Sequence, residues 1–172
     1  MVLIRKSVDG VTAAMLARFV SRARRACRVS GEVTVLVASN AELRRLNREF
    51  RGKDYPTDVL SFSSPGGERG GYSGDIAISA DMARQNGKLL GHGAGSEIKI
   101  LILHGLLHLA GYDHESDNGT MARRELRLRR QFKLPEGLTE RAAGNNSPRS
   151  SRVARASVGK TRAPGVRRSR QR

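Results

Sequence analysis

The stretch EIKILILHGLLHLA, residues 97–110, is apolar on almost every side when it is drawn as a helix. A helix of this kind is buried on all faces, so the stretch predicts a central helix with other elements packed around it. Gly111 follows directly and is well placed to end the helix, because glycine adopts the left-handed conformation that closes many helices. The rest of the fold is therefore expected to surround residues 97–110.

The segments before and after this helix predict strands and amphipathic helices. Alternating or β-branched stretches predict strands at 2–6, 32–38, 58–62 and 75–79. Helical spacing of apolar residues predicts helices over residues 16–27, 41–50, 81–90 and 120–133. Two groups of strands separated by helices, with further helices at the end, favour an α+β fold. We expect a mixed or largely parallel β-sheet of about four strands, layered with helices.

Charge divides the chain into two unequal parts. Residues 1–140 contain 22 basic and all 16 acidic residues, whereas residues 141–172 contain 10 basic and no acidic residues. The second part also lacks Leu, Ile, Phe and Tyr, so it cannot bury enough apolar surface to offset the entropy of ordering. We predict one folded domain over residues 1–140 and a disordered basic tail over residues 141–172.

The composition excludes several classes of protein. A single cysteine, Cys27, rules out an intramolecular disulfide framework and fits a reducing compartment. The start, MVLIRKSVDG, lacks the apolar segment of a secretory signal, and no apolar run approaches the roughly 20 residues that span a bilayer. We expect a soluble, cytoplasmic protein that does not contact a membrane.

Three of the four histidines, His104, His108 and His114, lie within eleven residues. The first two are four residues apart and project from one face of the helix, and Gly111 lets the chain turn so that the third can return to the same point. Burying three imidazoles without partners is costly, whereas a metal ion uses their lone pairs. The spacing therefore predicts one zinc ion with an open position for water. In a closed structural site, His92 would be a weaker candidate for the fourth ligand.

The spacing of these histidines equals that of the long metzincin protease motif. Those proteases carry a glutamate base directly after the first histidine, whereas this chain has Gly105. Peptide hydrolysis by that route is therefore disfavoured. Asp58, Asp75 and Asp113 are candidates to hold the remaining ring nitrogens, although turn or capping roles fit the first two equally well.

A second block, LNREFRGKDYPTDVLSF at residues 46–62, places a basic loop before a strand. An arginine near a metal ion can hold a phosphate bidentately, which makes Arg51 and Lys53 candidates for substrate binding. Pairing of these two cations with Asp54 or Asp58 on the surface explains them equally well. Both interpretations remain open at this point.

One face of the first helix is also basic, since Arg18, Arg22 and Arg25 share it. Such a face is most often simply solvated. Contact with nucleic acid is the alternative, and the sequence leaves the choice open.

The stretch HGLLHLAGYDH, residues 104–114, follows the HGxLHLxGYDH signature of the YbeY family of bacterial metal-dependent endoribonucleases. Residues 46–62 and GDIAIS at 74–79 support the resemblance. It implies a zincin-like metal-hydrolase fold with the metal site on the buried central helix. It further implies zinc ligation by His104, His108 and His114, and single-strand-specific cleavage in ribosomal RNA maturation, at the 3′ end of the small-subunit RNA, and in ribosome quality control.

The same resemblance assigns roles to individual residues and partners. Arg51, together with His104 and the bound metal, is expected to be catalytic, and Arg51 and Lys53 are expected to bind the RNA. The implied partners are single-stranded ribosomal RNA and the small ribosomal subunit with its proteins, and no small-molecule organic cofactor is expected. The alternatives are a non-catalytic ribosome assembly factor that binds ribosomal RNA around a structural metal and, less favoured, a metzincin-like peptidase.

Overall fold

The computed structural model describes residues 1–64, 71–113, 117–135 and 154–155. Its elements in chain order are β1 Val2–Ile4, α1 Ala13–Ala26, β2 Glu32–Ala38, α2 Asn40–Arg51, β3 Val59–Ser63, β4 Tyr72–Ser79, α3 Ala80–Leu90, α4 Ala94–Leu109, α5 Thr120–Gln131 and β5 Ala154–Arg155.

The strands form one mixed sheet in the order β1-β2-β4-β3-β5. The strands β1, β2 and β4 are parallel, and β3 runs antiparallel to β4. The helix α1 connects the parallel strands β1 and β2, whereas α2 leads from β2 into β3, and the β3–β4 hairpin then brings β4 back parallel to β2. The predicted α+β class and the mixed sheet of four main strands are confirmed.

Helices cover both faces of this sheet. One face presents Val35, Ile76 and Ile78 to α1 and α4, and these side chains are fully buried in the larger core. On the other face, Leu43 of α2 packs with Leu60 of β3 in a smaller cluster. The alternation of side chains along each strand therefore separates the two helical layers.

The central helix is longer than the sequence predicted. It begins at Ala94 instead of Glu97. The turn into α4 is tight, because a Cβ atom on Gly87 would lie 2.8 Å from the backbone oxygen of His92. The absence of a side chain at residue 87 allows α3 and α4 to follow each other closely.

The short strand β5 comes from the basic tail. Ala154 and Arg155 pair in parallel with Leu60 and Ser61 at the β3 edge of the sheet. The rest of residues 141–172 lies outside the described residues, so its predicted disorder and the 1–140 domain boundary stay predictions.

None of the helices in the described ranges is both long and apolar enough to cross a membrane.

Candidate metal centre

The helix α4 packs against β3 and β4 at a position that has no side chain. A Cβ atom on Gly105 would lie 2.9 Å from both Ser61 Oγ and Ile76 Cγ2. This is well inside the separation of about 3.5–4.0 Å at which carbon atoms attract each other. Glycine therefore allows α4 to lie this close to the sheet, and the same contact leaves no room for the glutamate base that metzincin proteases carry here.

The imidazoles of His104 and His108, called the histidine pair below, meet across one turn of α4. Their Nε2 atoms are 3.2 Å apart, and their ring centroids are 4.9 Å apart. Two nitrogens that bind one zinc ion at about 2.0–2.1 Å with a tetrahedral angle lie about 3.3 Å apart. The chemistry and the spacing of these two nitrogens fit a metal ion held between the rings.

A carboxylate on α5 orients the first of these rings. Glu125 Oε2 lies 2.7 Å from His104 Nδ1, and the other carboxylate oxygen accepts a hydrogen bond from Arg129. Burial opposes ionisation of Glu125, but the hydrogen bonds from His104 and Arg129 and the positive charge of Arg129 outweigh it and lower the pKa of the carboxyl group. An ionised carboxylate at Nδ1 keeps the ring proton on that atom, so Nε2 directs its lone pair toward His108.

Glu125 is not among the site residues that the sequence predicted. The sequence indicated three aspartates instead, of which Asp58 accepts the backbone N–H of the next residue at 2.9 Å and thereby fixes the start of β3. Asp75 is exposed and accepts a hydrogen bond from the Tyr72 hydroxyl, and Asp113 is half-buried just after α4. One signal was available, because Glu125 is the sole acidic residue in the Arg-rich segment of α5.

The third predicted ligand, His114, lies outside the described residues, which stop at Asp113 and resume at Asp117. The chain does turn where expected, since Gly111 has a φ of +89° directly after α4. Within the ranges that the structure describes, no three His, Cys, Asp or Glu side chains come close enough to share a metal ion. The described part of the centre is the histidine pair, and ligation by His114 stays a prediction.

The two predicted substrate-binding cations follow each other at the end of α2. Arg51 is the last residue of the helix, and Gly52 ends it in the left-handed conformation, with a φ of 67°. Asp54 pairs with Arg44 at 2.7 Å, and Lys53 forms no salt bridge with any residue that the structure describes. For Lys53, the surface pairing that the sequence left open is therefore not observed within those residues.

The helices α2 and α4 end at the same end of the β3–β4 pair, on opposite faces of the sheet. On one face, Phe50, which precedes Arg51, packs against Phe62 with 5.0 Å between ring centroids. On the other face, a Cβ atom on Gly74 would lie 3.0 Å from Leu109 Cδ2 and 2.1 Å from the backbone oxygen of Phe62. Leu109 directly follows the histidine pair, so the end of α2 and the last turn of α4 converge on the same strand residues.

The fourth histidine lies elsewhere. His92 Nε2 is 2.7 Å from Glu97 Oε2 in the first turn of α4. Glu97 precedes His104 by seven residues, which corresponds to about 10 Å along the helix. His92 therefore joins the turn between α3 and α4, and this position argues against a role as fourth ligand.

The chain matches one family of known proteins over most of its length. The family model described as Endoribonuclease YbeY matches residues 4–133. The Endoribonuclease YbeY of Koribacter versatilis is 51% identical over 141 residues, covering 82% of this chain and 91% of that protein. The Endoribonuclease YbeY of Solibacter usitatus is 49% identical over 124 residues, covering 72% of this chain and 82% of that protein. A solution structure of a Thermotoga maritima protein has a TM-score of 0.54 at 24% identity, covering 88% of this chain and all of the other, and it shares the fold.

Proposed function

Because the chain belongs to the Endoribonuclease YbeY family, we infer that it is a metal-dependent hydrolase that cleaves single-stranded RNA during ribosomal RNA maturation. The observation that carries the metal dependence is the histidine pair, whose Nε2 atoms lie 3.2 Å apart and whose first ring is held by Glu125. In this arrangement the largely buried side chains of His104, His108 and Glu125 direct the Nε2 lone pairs of the two histidines toward one point.

The proposed metal ligands are His104, His108 and His114. A zinc ion held there would supply Lewis-acid chemistry, which makes water a stronger nucleophile at neutral pH and polarises a phosphoryl oxygen. The protein's own contribution is orientation, because Glu125 fixes the tautomer of His104. Gly105 lets α4, the helix that carries both histidines, pack closely against the sheet.

Arg51 and Lys53 are proposed to bind the phosphates of the RNA. The guanidinium of an arginine matches the geometry of a phosphate and stabilises the negative charge that develops as the phosphodiester is cleaved. What supports this assignment is that α2, which ends at Arg51, and α4, which carries the histidine pair, end at the same end of the β3–β4 pair. The Gly105 contact disfavours the alternative of a metzincin-like peptidase.

We further propose that the substrate is ribosomal RNA on the small subunit, whose proteins would supply much of the specificity. The chain has only seven aromatic residues, so base stacking is limited and most contacts should be made to phosphates. The intrinsic sequence preference of the protein is therefore expected to be weak.

The decisive experiment is cleavage of a single-stranded RNA by the full chain, after chelation and after zinc is added back. We expect zinc to restore cleavage in the wild type but not in His108→Ala, and His92→Gln to behave like the wild type because it removes a histidine outside the centre. Equal cleavage by the wild type and His108→Ala would identify a contaminating ribonuclease. Zinc binding without cleavage would favour the assembly-factor alternative.

A second comparison tests the proposed role of Arg51. Arg51→Ala should retain zinc but lose most cleavage, because the phosphate would lose its bidentate partner. Arg48→Ala is the matched control, since it removes an exposed arginine of the same helix whose guanidinium lies 3.9 Å from Asp54. Full activity of Arg51→Ala would contradict the role.

A further inference from the structure

The helices α1 and α5 both pack on α4 and contact each other at two points, whose order along the chain shows that they run antiparallel. Near the middle of α1, Phe19 packs edge-on against Phe132 at the end of α5, with 5.3 Å between ring centroids. At the other end of the pair, Arg124 in the first turns of α5 donates a hydrogen bond of 2.9 Å to the backbone oxygen of Ala26. The exposed sides of the two helices therefore border on each other at these two contacts.

The exposed sides of α1 and α5 are strongly basic. Their exposed cations are Arg18, Arg22 and Arg25 of α1 and Arg123, Arg127 and Arg130 of α5, which together are called the α1–α5 basic face. No acidic residue occurs in α1, and the single acidic residue of α5, Glu125, is buried with its carboxylate toward His104. Of the six cations, Arg18, Arg22, Arg25 and Arg127 form no salt bridge with a described residue.

Packing holds part of this charge in place. The guanidinium carbon of Arg22 lies 5.6 Å from the centroid of the Phe132 ring, in the range of a cation–π contact. Arg25 donates a hydrogen bond to the backbone oxygen of Ser21, and Arg123 donates to the backbone oxygen of Asn118. These partners are neutral, so they order the side chains without cancelling the positive charge.

We propose that the α1–α5 basic face is a second RNA-binding surface, distinct from the metal centre, which holds the sugar-phosphate backbone of the ribosomal RNA away from the cleavage point. The proposal rests on the function proposed above, because it assumes an RNA substrate. Arginines bind phosphates bidentately, and a cluster that lacks acidic residues gains affinity from the release of counterions from the RNA.

The composition of the face favours RNA over other partners. Protein interfaces centre on buried aromatic or aliphatic anchors, and membrane surfaces take up apolar side chains. The exposed large apolar residues of the described chain are Met1, Leu3, Phe50, Tyr55, Tyr72 and Leu89, and none of them lies on α1 or α5. A polyanion without an apolar component therefore fits the surface best.

The helix α5 connects the α1–α5 basic face to the metal centre. The inner side of α5 packs against the core with Met121 and Leu128 and contacts His104 with Glu125, while the outer side carries three arginines of the basic face. RNA held on this surface would thus lie at a fixed distance from the histidine pair. This arrangement suits an enzyme whose intrinsic sequence preference is weak.

The test uses the full chain in chelator, so that RNA binding is measured without cleavage. The variant Arg18→Gln/Arg22→Gln/Arg25→Gln removes three charges from the face. The control Arg5→Gln/Arg44→Gln/Arg45→Gln removes three exposed charges that are already paired with Glu42, Asp54 and Glu49. The basic tail is present in both proteins, so its contribution cancels, and the melting temperature of each verifies the fold.

With a labelled single-stranded RNA as probe, we expect the first variant to bind at least about tenfold more weakly at low salt. The slope of log K against log salt should fall in magnitude by about two, at roughly 0.7 for each phosphate that the variant no longer neutralises. An unchanged slope, or an equal change in the control, would overturn the proposal. Binding of polyglutamate as tight as that of RNA would instead assign the face to an acidic protein. Because binding in chelator does not depend on cleavage, failure of the proposed nuclease function would be seen separately in the His108→Ala comparison.

Discussion

A single carboxylate, Glu125, determines how His104 can act. It lies 2.7 Å from Nδ1 and shares its other oxygen with Arg129. The sequence predicted the histidines because their spacing on one helix is a local property. The sequence could not predict that Glu125 orients His104, because this contact joins residues 21 positions apart on two helices and depends on how those helices pack.

We expect Glu125→Gln to weaken zinc binding by about 10–100-fold, because the amide can still accept the Nδ1 proton but no longer stabilises the ring as an anion does. Zinc affinity measured by competition with a chromophoric chelator would check this. The control is Gln131→Glu, which alters charge on the same helix at an exposed position. Equal zinc affinity in Glu125→Gln and the wild type would contradict the positioning role.

The single cysteine gives a prediction about reactivity. Cys27 is 3% exposed, and burial, only partly offset by Arg124, raises the pKa of its thiol from 9.0 to about 12. Because the thiolate is the reactive form, a disulfide reagent at about pH 8 should modify the native protein far more slowly than the denatured protein. Since the pKa is raised in the folded state, the linked stability is present below about pH 9 and is lost as the pH rises from 9 toward 12. Equal modification rates for native and denatured protein would show that the site is open.

At the scale of elements, hydrophobic periodicity predicted the order and type of the main strands and helices. The strand β2 covers the predicted residues 32–38 in full, because alternating valines on a half-buried strand give a clear signal. The start of α4 was placed three residues too late, because residues 91–96 contain three glycines that are typical of a linker. The close packing of Gly87 against the turn, which lets the helix start at Ala94, is a tertiary contact that periodicity does not encode.

The docking of α4 on the sheet gives a prediction about stability. Gly105→Ala places a Cβ atom 2.9 Å from Ser61 Oγ and Ile76 Cγ2, and overpacking of this kind costs about 1–3 kcal/mol. The gain in helix propensity offsets about 1 kcal/mol of this cost, so we expect a net loss of up to about 2 kcal/mol in the free energy of unfolding. Denaturant titration measures this loss.

The control for that prediction lies in the same helix. Gly95→Ala meets only Val11 Cγ2 at 3.2 Å, so it should be neutral or stabilising. If Gly105→Ala proved as stable as Gly95→Ala, the close approach of α4 to the sheet would not depend on glycine.

At the scale of the whole molecule, three positively charged regions are candidates for RNA binding: the end of α2, the α1–α5 basic face and the tail. The tail lies outside the residues 4–133 that match the family, so its role does not follow from membership. We propose that its 10 basic residues, with no acidic ones among them, raise the affinity for RNA; a nonessential basic extension is the equally weighted alternative.

We expect a truncation after residue 140 to fold with an unchanged melting temperature, because the described core does not draw on residues beyond Pro135 except at the two-residue strand β5. Its RNA affinity at low salt should fall by at least about tenfold, with a shallower salt dependence. Titration of a single-stranded RNA at several salt concentrations checks both quantities. An unchanged slope would assign the tail to the nonessential class.

The contact at Gly105 also limits how this scaffold can diverge. A lineage that gained a glutamate at residue 105 would first lose stability, since the side chain would enter the space held by Ser61 and Ile76. Smaller residues at positions 61 and 76 would have to be present first to make room for the glutamate. On any evolutionary path from this nuclease to a glutamate-dependent peptidase, the effect of a glutamate at residue 105 therefore depends on which residues already occupy positions 61 and 76.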